Sequence, residues 1–340
     1  MIDYLIPEFF LNFDAYKKQG TRNPGGGMRT KIRSVQKAST HFQLYNRTHV
    51  SKLKSPWVLV EPMFFRLGLP GQPQGDDRDR TVDALANYPG KKILYCSEME
   101  LLRWSGKFRD KVIDACDVVA YNCEYQRRIF EALGIKDMQL LTDPIDGELF
   151  QPGPKKLQVI SSGWISSAKN SEFIRDLYTA LKPKNIETVY VGGNTLWGFA
   201  NKENLKIEQE IRDVTDTFVD SAPQHVLAQY LANAAFFVGN TMHDTFSGCH
   251  AESMAAACIS VCGGHPIYKE RSLYYVKPGV DATVKGLKAW TNDFTQLPPA
   301  EYFQITRQGF EQTCSFDVFN HQLEAIIKGE ITIEHDRTDD

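Results

Sequence analysis

Short apolar runs of strand length recur along this chain, and helical stretches separate them. Trp57-Val-Leu-Val-Glu, Lys92-Ile-Leu-Tyr-Cys and Asp117-Val-Val-Ala-Tyr come first. Leu157-Gln-Val-Ile-Ser, Glu187-Thr-Val-Tyr-Val, Thr217-Phe-Val, Ala235-Phe-Phe-Val-Gly and Ile259-Ser-Val-Cys follow. Apolar runs without polar alternation read as strands buried on both faces. Between them, Met99 to Ile113, Glu172 to Leu181 and Gln224 to Ala232 read as helices. Strands alternating with helices imply parallel, doubly wound sheets, the α/β class. At 340 residues the chain exceeds one typical domain and suits two such units. Pro152-Gly-Pro154 is the best linker, giving domains at 1–152 and 153–315. Phe316 to Lys328 reads as a final amphipathic helix within 316–330, and 331–340 as a frayed tail.

The sharpest chemical signal is Asp244-Thr-Phe-Ser-Gly-Cys-His-Ala-Glu252, running on into Ser253-Met-Ala-Ala-Ala. Two acids flank a loop with Phe246, Ser247 and Gly248 that opens into a small-residue helix. A carboxylate in the first turns of a helix can accept both hydroxyls of a ribose diol. The helix N-terminus offers free N–H groups and a positive dipole end to a diphosphate. Gly248 lets backbone approach a ligand. The bland alternative is an ordinary capped helix with an Ala-rich buried face.

These residues resemble the acid-x7-acid motif, Phe-Gly loop and Glu-Ala-Met-Ala helix of GT-B fold glycosyltransferases, most closely the large retaining family 4. Asp143-Pro-Ile-Asp-Gly-Glu-Leu-Phe-Gln-Pro152 is similar to that family's interdomain signature. Leu157 to Lys169 is similar to the strand and loop opening its second domain, with Trp164 where the family has Arg. Pro24-Gly-Gly-Gly-Met28 resembles its Gly-rich loop, and Asp117 to Arg128 the strand and helix that end its first domain.

The resemblance implies two Rossmann-like domains facing a central cleft, with ligand loops at the carboxyl ends of strands. It implies a nucleotide-sugar donor, UDP- or GDP-linked, with retention of configuration and no metal cofactor. Asp244 then grips sugar hydroxyls and Glu252 the ribose. Lys169, the amides near Gly248 and at Gly25, Gly26 and Gly27, and Arg29 stabilise the leaving diphosphate. Gly163 to Lys169 and Gly192-Gly193-Asn194 are the loops after their strands, so Gly163 and Gly193 line the donor, and Phe218 and Val219 meet the base. The family's acceptor-side His is absent; Cys96-Ser97-Glu98 stands there, making Ser97 and Glu98 candidates and adding Glu98 to the catalytic set.

Charge is distributed unevenly. No acid lies between Asp14 and Glu61, a stretch that holds Lys17, Lys18, Arg22, Arg29, Lys31, Arg33, Lys37, Arg47, Lys52 and Lys54. With those ten taken from 39 basic residues, 29 remain against 42 acids. A basic segment on an acidic body concentrates polyanions. The stretch 17–54, with Tyr16, Phe42, Tyr45 and Trp57 interleaved or beside it, therefore points to DNA or another polyanion, with Arg29, Lys31 and Arg33 on the acceptor side. A solvated basic face is the alternative.

No apolar run approaches the roughly 18 residues of a membrane span. The opening residues do not read as a signal peptide. Seven cysteines without Cys-x2-Cys spacing suit reduced thiols in the cytoplasm. Asp77-Arg-Asp79 matches a metal-binding Asp-x-Asp motif, but it falls in a stretch that reads as polar loop, so no metal is expected. Three readings stay open: transfer to a polyanion such as DNA with hydroxymethylated bases; the same chemistry on a glycan, lipid or small molecule; or a non-catalytic binding module.

Overall fold

The computed structural model describes residues 1–8, 26–39, 42–65, 76–96, 99–166, 169–193, 202–220, 222–239, 241, 246–262, 274–275 and 279–330. The side chains of 26–29, 76 and 274–275 are outside that description. The chain divides into two compact units. One contains Gly27–Pro144 together with the opening strand and the chain from Phe316; the other contains Ile145–Ser315. The seam thus precedes the Pro152-Gly-Pro segment.

The first unit is built from β1 (Ile2–Leu5), α1 (Gly26–Ala38), β2 (Leu44–Arg47), β3 (Trp57–Val60), α2 (Asp76–Ala86), β4 (Lys91–Cys96), α3 (Gly106–Asp114), β5 (Val118–Tyr121), α4 (Glu124–Ala132) and β6 (Met138–Leu140). Its six strands pair in the order β2-β1-β3-β4-β5-β6, every pair parallel. Helices on both faces of such a sheet leave no polar side, which is why Val58, Val60 and Leu94 are fully buried. Phe64, Phe65, Trp104 and Phe108 pack edge-on beside them at centroid distances of 5.2–6.2 Å. Truncating a fully buried ring such as Phe65 to Ala would cost about 3–5 kcal/mol. Ser105 caps α3 by accepting from Phe108 N–H, and Gly134, at φ +82°, follows α4 where a left-handed residue is needed.

The second unit contains β7 (Lys156–Trp164), α5 (Ser171–Leu181), β8 (Glu187–Gly193), α6 (Lys202–Val214), β9 (Thr217–Asp220), α7 (Gln224–Asn233), β10 (Ala234–Gly239), α8 (Gly248–Ala255), β11 (Ile259–Cys262), β12 (Tyr274–Tyr275), α9 (Val280–Trp290) and α10 (Ala300–Thr313). Its parallel order is β12-β11-β10-β7-β8-β9. The last helix, α11 (Phe316–Lys328), returns to the first unit. There Asn320 Nδ2 donates to Ala38 O at 2.8 Å, and Gln322 accepts from Thr142 N–H at 2.9 Å.

Three local expectations need correction. Gly192 and Gly193 belong to strand β8, not to a loop after it. Gly26 and Gly27 open helix α1 rather than lying in a Gly-rich loop. Asp77 to Arg80 is the first turn of α2, because Asp77 and Arg80 pair across three positions there and the charged run becomes a solvated helix face. The 331–340 tail lies outside the described residues.

Candidate functional site

In the second sheet the strand order reverses between β7 and β10, and open α/β sheets bind ligands outside the carboxyl ends at such a point. Ser161 Oγ donates to Val238 O at 2.9 Å and ties those two strands together. The penultimate residue of β7 is Gly163, at φ +128°, and β8 passes it at Gly192, φ +152°. A Cβ on Gly192 would lie 2.0 Å from the Gly163 carbonyl oxygen, so only glycine permits this approach. Tyr190 OH donates to the same carbonyl at 3.2 Å. A tight turn follows: Ser166 N–H donates to Ser171 Oγ at 2.9 Å and Lys169 N–H to Ser166 O at 3.1 Å. That turn returns Lys169 to the strand end.

From β10 the chain passes Thr241 and reaches Ser247, the N-cap of α8. Its backbone is extended there, yet its hydroxyl makes no capping hydrogen bond. The first N–H groups of α8 have no intrahelical acceptor and point out of the helix end. A Cβ on Gly248 would meet nothing within 4 Å, so space lies open there. Gly163, Lys169, Ser247 and Gly248 line one cavity, joined by Ser162, Trp164, Thr241 and Cys249. Trp164 is 41% exposed. The arrangement brings a helix N-terminus, an ammonium and hydroxyls around one recess, a set suited to an anion.

Glu252 sits one turn into α8, buried, with Oε1 accepting from Gln224 Nε2 at 3.1 Å. Burial pushes its carboxyl up to about 7, against the smaller downward pull of Gln224. Gln224 escaped the sequence reading. Its signal was positional, since it opens the helix after strand β9. Phe246 is buried and His250 faces inward, its ring 6.3 Å from that of Phe237. Phe218, on β9 beside Val219, stacks on Tyr190 at 5.3 Å and carries the Arg212 guanidinium 3.8 Å from its centroid. Gly193 is buried and pairs in register with Trp164. Asp244 and His243 lie outside the described residues.

The first unit treats its expected residues differently. Lys31 does not face solvent. Its Nζ is 2.5 Å from Glu61 Oε2, 3.7 Å from Asp143 Oδ1 and 4.0 Å from the Tyr95 centroid. Tyr4 OH donates to Glu61 at 3.3 Å and Tyr95 OH to Asp143 at 2.6 Å. Burial, then the nearby carboxylates, holds both phenols well above their ordinary range, so they remain donors. Arg47 is also engaged, with Nε 2.7 Å from Asp3 Oδ1. The basic stretch is therefore not unopposed, as its sequence suggested, because acids distant in sequence fold against it. Arg33, Lys37, Lys52 and Lys54 are exposed. Gly25, Ser97, Glu98, Lys17, Lys18 and Arg22 lie outside the described residues, as does the Arg29 side chain. Asp79 pairs with Lys111 at 3.4 Å, and among the described residues no group of three His, Cys, Asp or Glu could hold a metal. None of the seven cysteines is in a disulfide. Among the described residues no helix is long and apolar enough to cross a membrane.

No protein-family model matches the chain, and no curated protein matches it in sequence. Solved structures do. Sucrose-phosphate synthase from Thermosynechococcus elongatus superposes with TM-score 0.70 at 11% identity, over 96% of this chain and 98% of that one. Anabaena HepE, in complex with UDP and glucose, gives 0.67 at 11% identity over 96% and 99%. AviGT4, a glycosyltransferase involved in Avilamycin A biosynthesis, gives 0.62 at 11% over 96% and 98%. The chain has the fold of these proteins, the GT-B fold of two parallel-sheet α/β domains.

Proposed function

We propose that this protein is a glycosyltransferase that moves a sugar from a nucleotide-diphosphate sugar, UDP- or GDP-linked, to a hydroxyl acceptor. The observation that carries this reading is the convergence of the α8 N-terminus, Lys169 and Gly163 on one cavity at the β7/β10 reversal, with Glu252 one turn inside α8. The likeness to HepE, solved with UDP-glucose, supports the donor class.

In this reading Glu252 accepts the ribose hydroxyls, Asp244 those of the sugar, and Phe218 and Val219 meet the base. The diphosphate lies on the α8 amides and Lys169. The anomeric C–O bond breaks and negative charge gathers on the leaving phosphate. Fixed donors aimed there lower the barrier without reorganising. That phosphate takes the acceptor's proton as the new glycosidic bond forms on the same face, so configuration is retained. Lys169 and the helix dipole supply the positive charge, and the reading calls for no resident metal. A cytoplasmic location belongs to this reading and is supported by the seven cysteines outside disulfides.

The exposed Arg33, Lys37, Lys52 and Lys54 support a polyanionic acceptor, DNA with hydroxymethylated bases among the candidates. The internal pairing of Lys31 and Arg47 favours the second reading, a neutral glycan, lipid or small-molecule acceptor.

Thermal shift with UDP-, GDP-, ADP- and dTDP-sugars, with and without magnesium, tests the donor site. One nucleotide at a hundred times its Kd should stabilise the chain by about 2.7 kcal/mol regardless of magnesium. Lys169→Ala and Glu252→Ala should abolish that shift. A chain indifferent to every nucleotide would not be a nucleotide-sugar transferase.

A further inference from the structure

The amino ends of β3 and β4 carry a second recess, at the sheet edge opposite the carboxyl ends of the first unit. Two chain segments form its walls, Lys54–Trp57 and Tyr88–Lys91, with Ile327 of α11 beside them. The walls are locked together. Lys91 N–H donates to Pro56 O at 2.9 Å and Tyr88 OH to Ser55 O at 2.7 Å. Asp3 accepts from Lys54 N–H at 2.5 Å and Ser55 N–H at 2.9 Å. A Cβ on Gly90 would lie 2.5 Å from the Tyr88 ring and 2.7 Å from Ser55 O, so glycine lets the segments close.

This rigid backbone displays Trp57 and Tyr88, half-buried, between exposed Lys54 and Lys91. Lys91 Nζ stands 5.5 Å from the Trp57 ring centroid. Nearby acids are taken: Asp3 by Arg47, and Asp117 by Lys92 at 3.6 Å. Among the described residues no carboxylate pairs with Lys54 or Lys91. The recess therefore combines two uncompensated cations with two aromatic rings on a preformed frame.

We propose that this recess anchors a single-stranded nucleic acid segment, with phosphates on Lys54 and Lys91 and an unpaired base against Trp57. Every base has a π-face, and alternating rings and anions match the alternation of Trp57 and Tyr88 with lysines. A duplex keeps its bases stacked inside and offers no ring to Trp57. The inference rests on the anionic-acceptor reading above and gives that acceptor a hold at the amino edge of the sheet.

Fluorescence anisotropy of a labelled oligothymidylate on the full chain, across a salt series, tests it. The wild type should bind, and its tryptophan emission should be quenched. Lys54→Ala with Lys91→Ala should weaken binding roughly tenfold or more and flatten the slope of log K against log salt by about 1.4. Trp57→Leu should cost roughly tenfold, whereas Trp57→Phe should bind nearly as the wild type but lose the quench. The quench comparison stands even if Trp57→Leu fails to fold. Wild-type affinity in the double lysine variant would overturn the proposal. So would a neutral Trp57→Leu with full competition by a sulfated glycan, which would assign the recess to acidic polysaccharide. Binding here needs no donor. Oligonucleotide bound without any nucleotide-induced melting shift would sink the transferase reading alone; the shift without oligonucleotide binding would sink this one alone.

Discussion

The two sheets reverse strand order at comparable places and use those places in opposite ways. In the first unit the carboxyl ends of β1, β3 and β4 are filled by Lys31, Glu61, Asp143, Tyr4 and Tyr95, which pair with one another in a buried cluster. In the second, Gly163, Gly248 and Lys169 line a cavity beside β7 and β10, at a helix whose N-cap Ser247 makes no side-chain capping bond. One architecture thus yields a packed polar cluster at one sheet and a lined recess at the other. Polar residues at a strand end can serve packing as well as binding, and their sequence pattern alone does not separate the two.

The largest expected effect breaks the polar cluster. Lys31→Met leaves Glu61 and Asp143 facing each other in the interior and should cost about 3–5 kcal/mol in denaturant titrations. Adding Glu61→Gln should recover part of the loss, and a cluster that tolerated Lys31→Met alone would not be a structural one. In the second unit, Lys169→Ala should slow transfer about 10²–10³-fold while leaving unliganded stability near wild type, as read by kcat and melting together.

Two buried carboxylates sharpen the contrast through pH. At Glu252, burial raises the folded carboxyl to about 7 from an unfolded value near 4.5. The folded chain therefore holds the proton more tightly, and stability falls as pH rises between those values. The loss is about 3 kcal/mol at most by 1.36 kcal/mol per unit. Asp3 runs the other way. Burial alone would raise it, but the Lys54 and Ser55 N–H groups and Arg47 together hold it below its ordinary value. Its contribution is present above the unfolded pKa near 3.8 and is lost as pH falls through the folded one. Glu252→Gln should flatten the unliganded stability profile between pH 4.5 and 7, and Asp3→Asn should flatten it on the acid side. The smallest effect belongs to the exposed α2 pair: Arg80→Ala should shift stability by no more than about 0.5 kcal/mol.

Much of the second unit is legible in the chain because its signals are local. Each of β7 to β11 is a short run with an apolar centre, and Gly163, Lys169, Ser247, Gly248 and Glu252 all fall between a strand's last residues and the first turns of the next helix. The first unit hides its opening strand. β1 reads Ile-Asp-Tyr-Leu, and Asp3 looks like an interruption until Arg47, Lys54 and Ser55 fold onto it. β2, Leu-Tyr-Asn-Arg, is a polar edge strand with no apolar run to betray it. Lys31 misled for a related reason. Its neutralising acids are 30 and 112 residues away, and a charge window along the sequence cannot see them. Trp164, Thr241 and Cys249 belong to the cavity through the crossing of separate strands, which no spacing rule encodes.

The glycine crossing also has an evolutionary consequence. At Gly163 a side chain would have room, with its first contact the Cys249 sulfur at 4.0 Å, and only the backbone conformation resists it. At Gly192 both the conformation and a carbonyl 2.0 Å away resist it. Position 192 is therefore closed to drift by any single substitution, whatever sugar or acceptor a descendant uses. Position 163 is open to the few residues that tolerate strain. A lineage could change its substrate many times by altering the residues around this crossing and still inherit it intact.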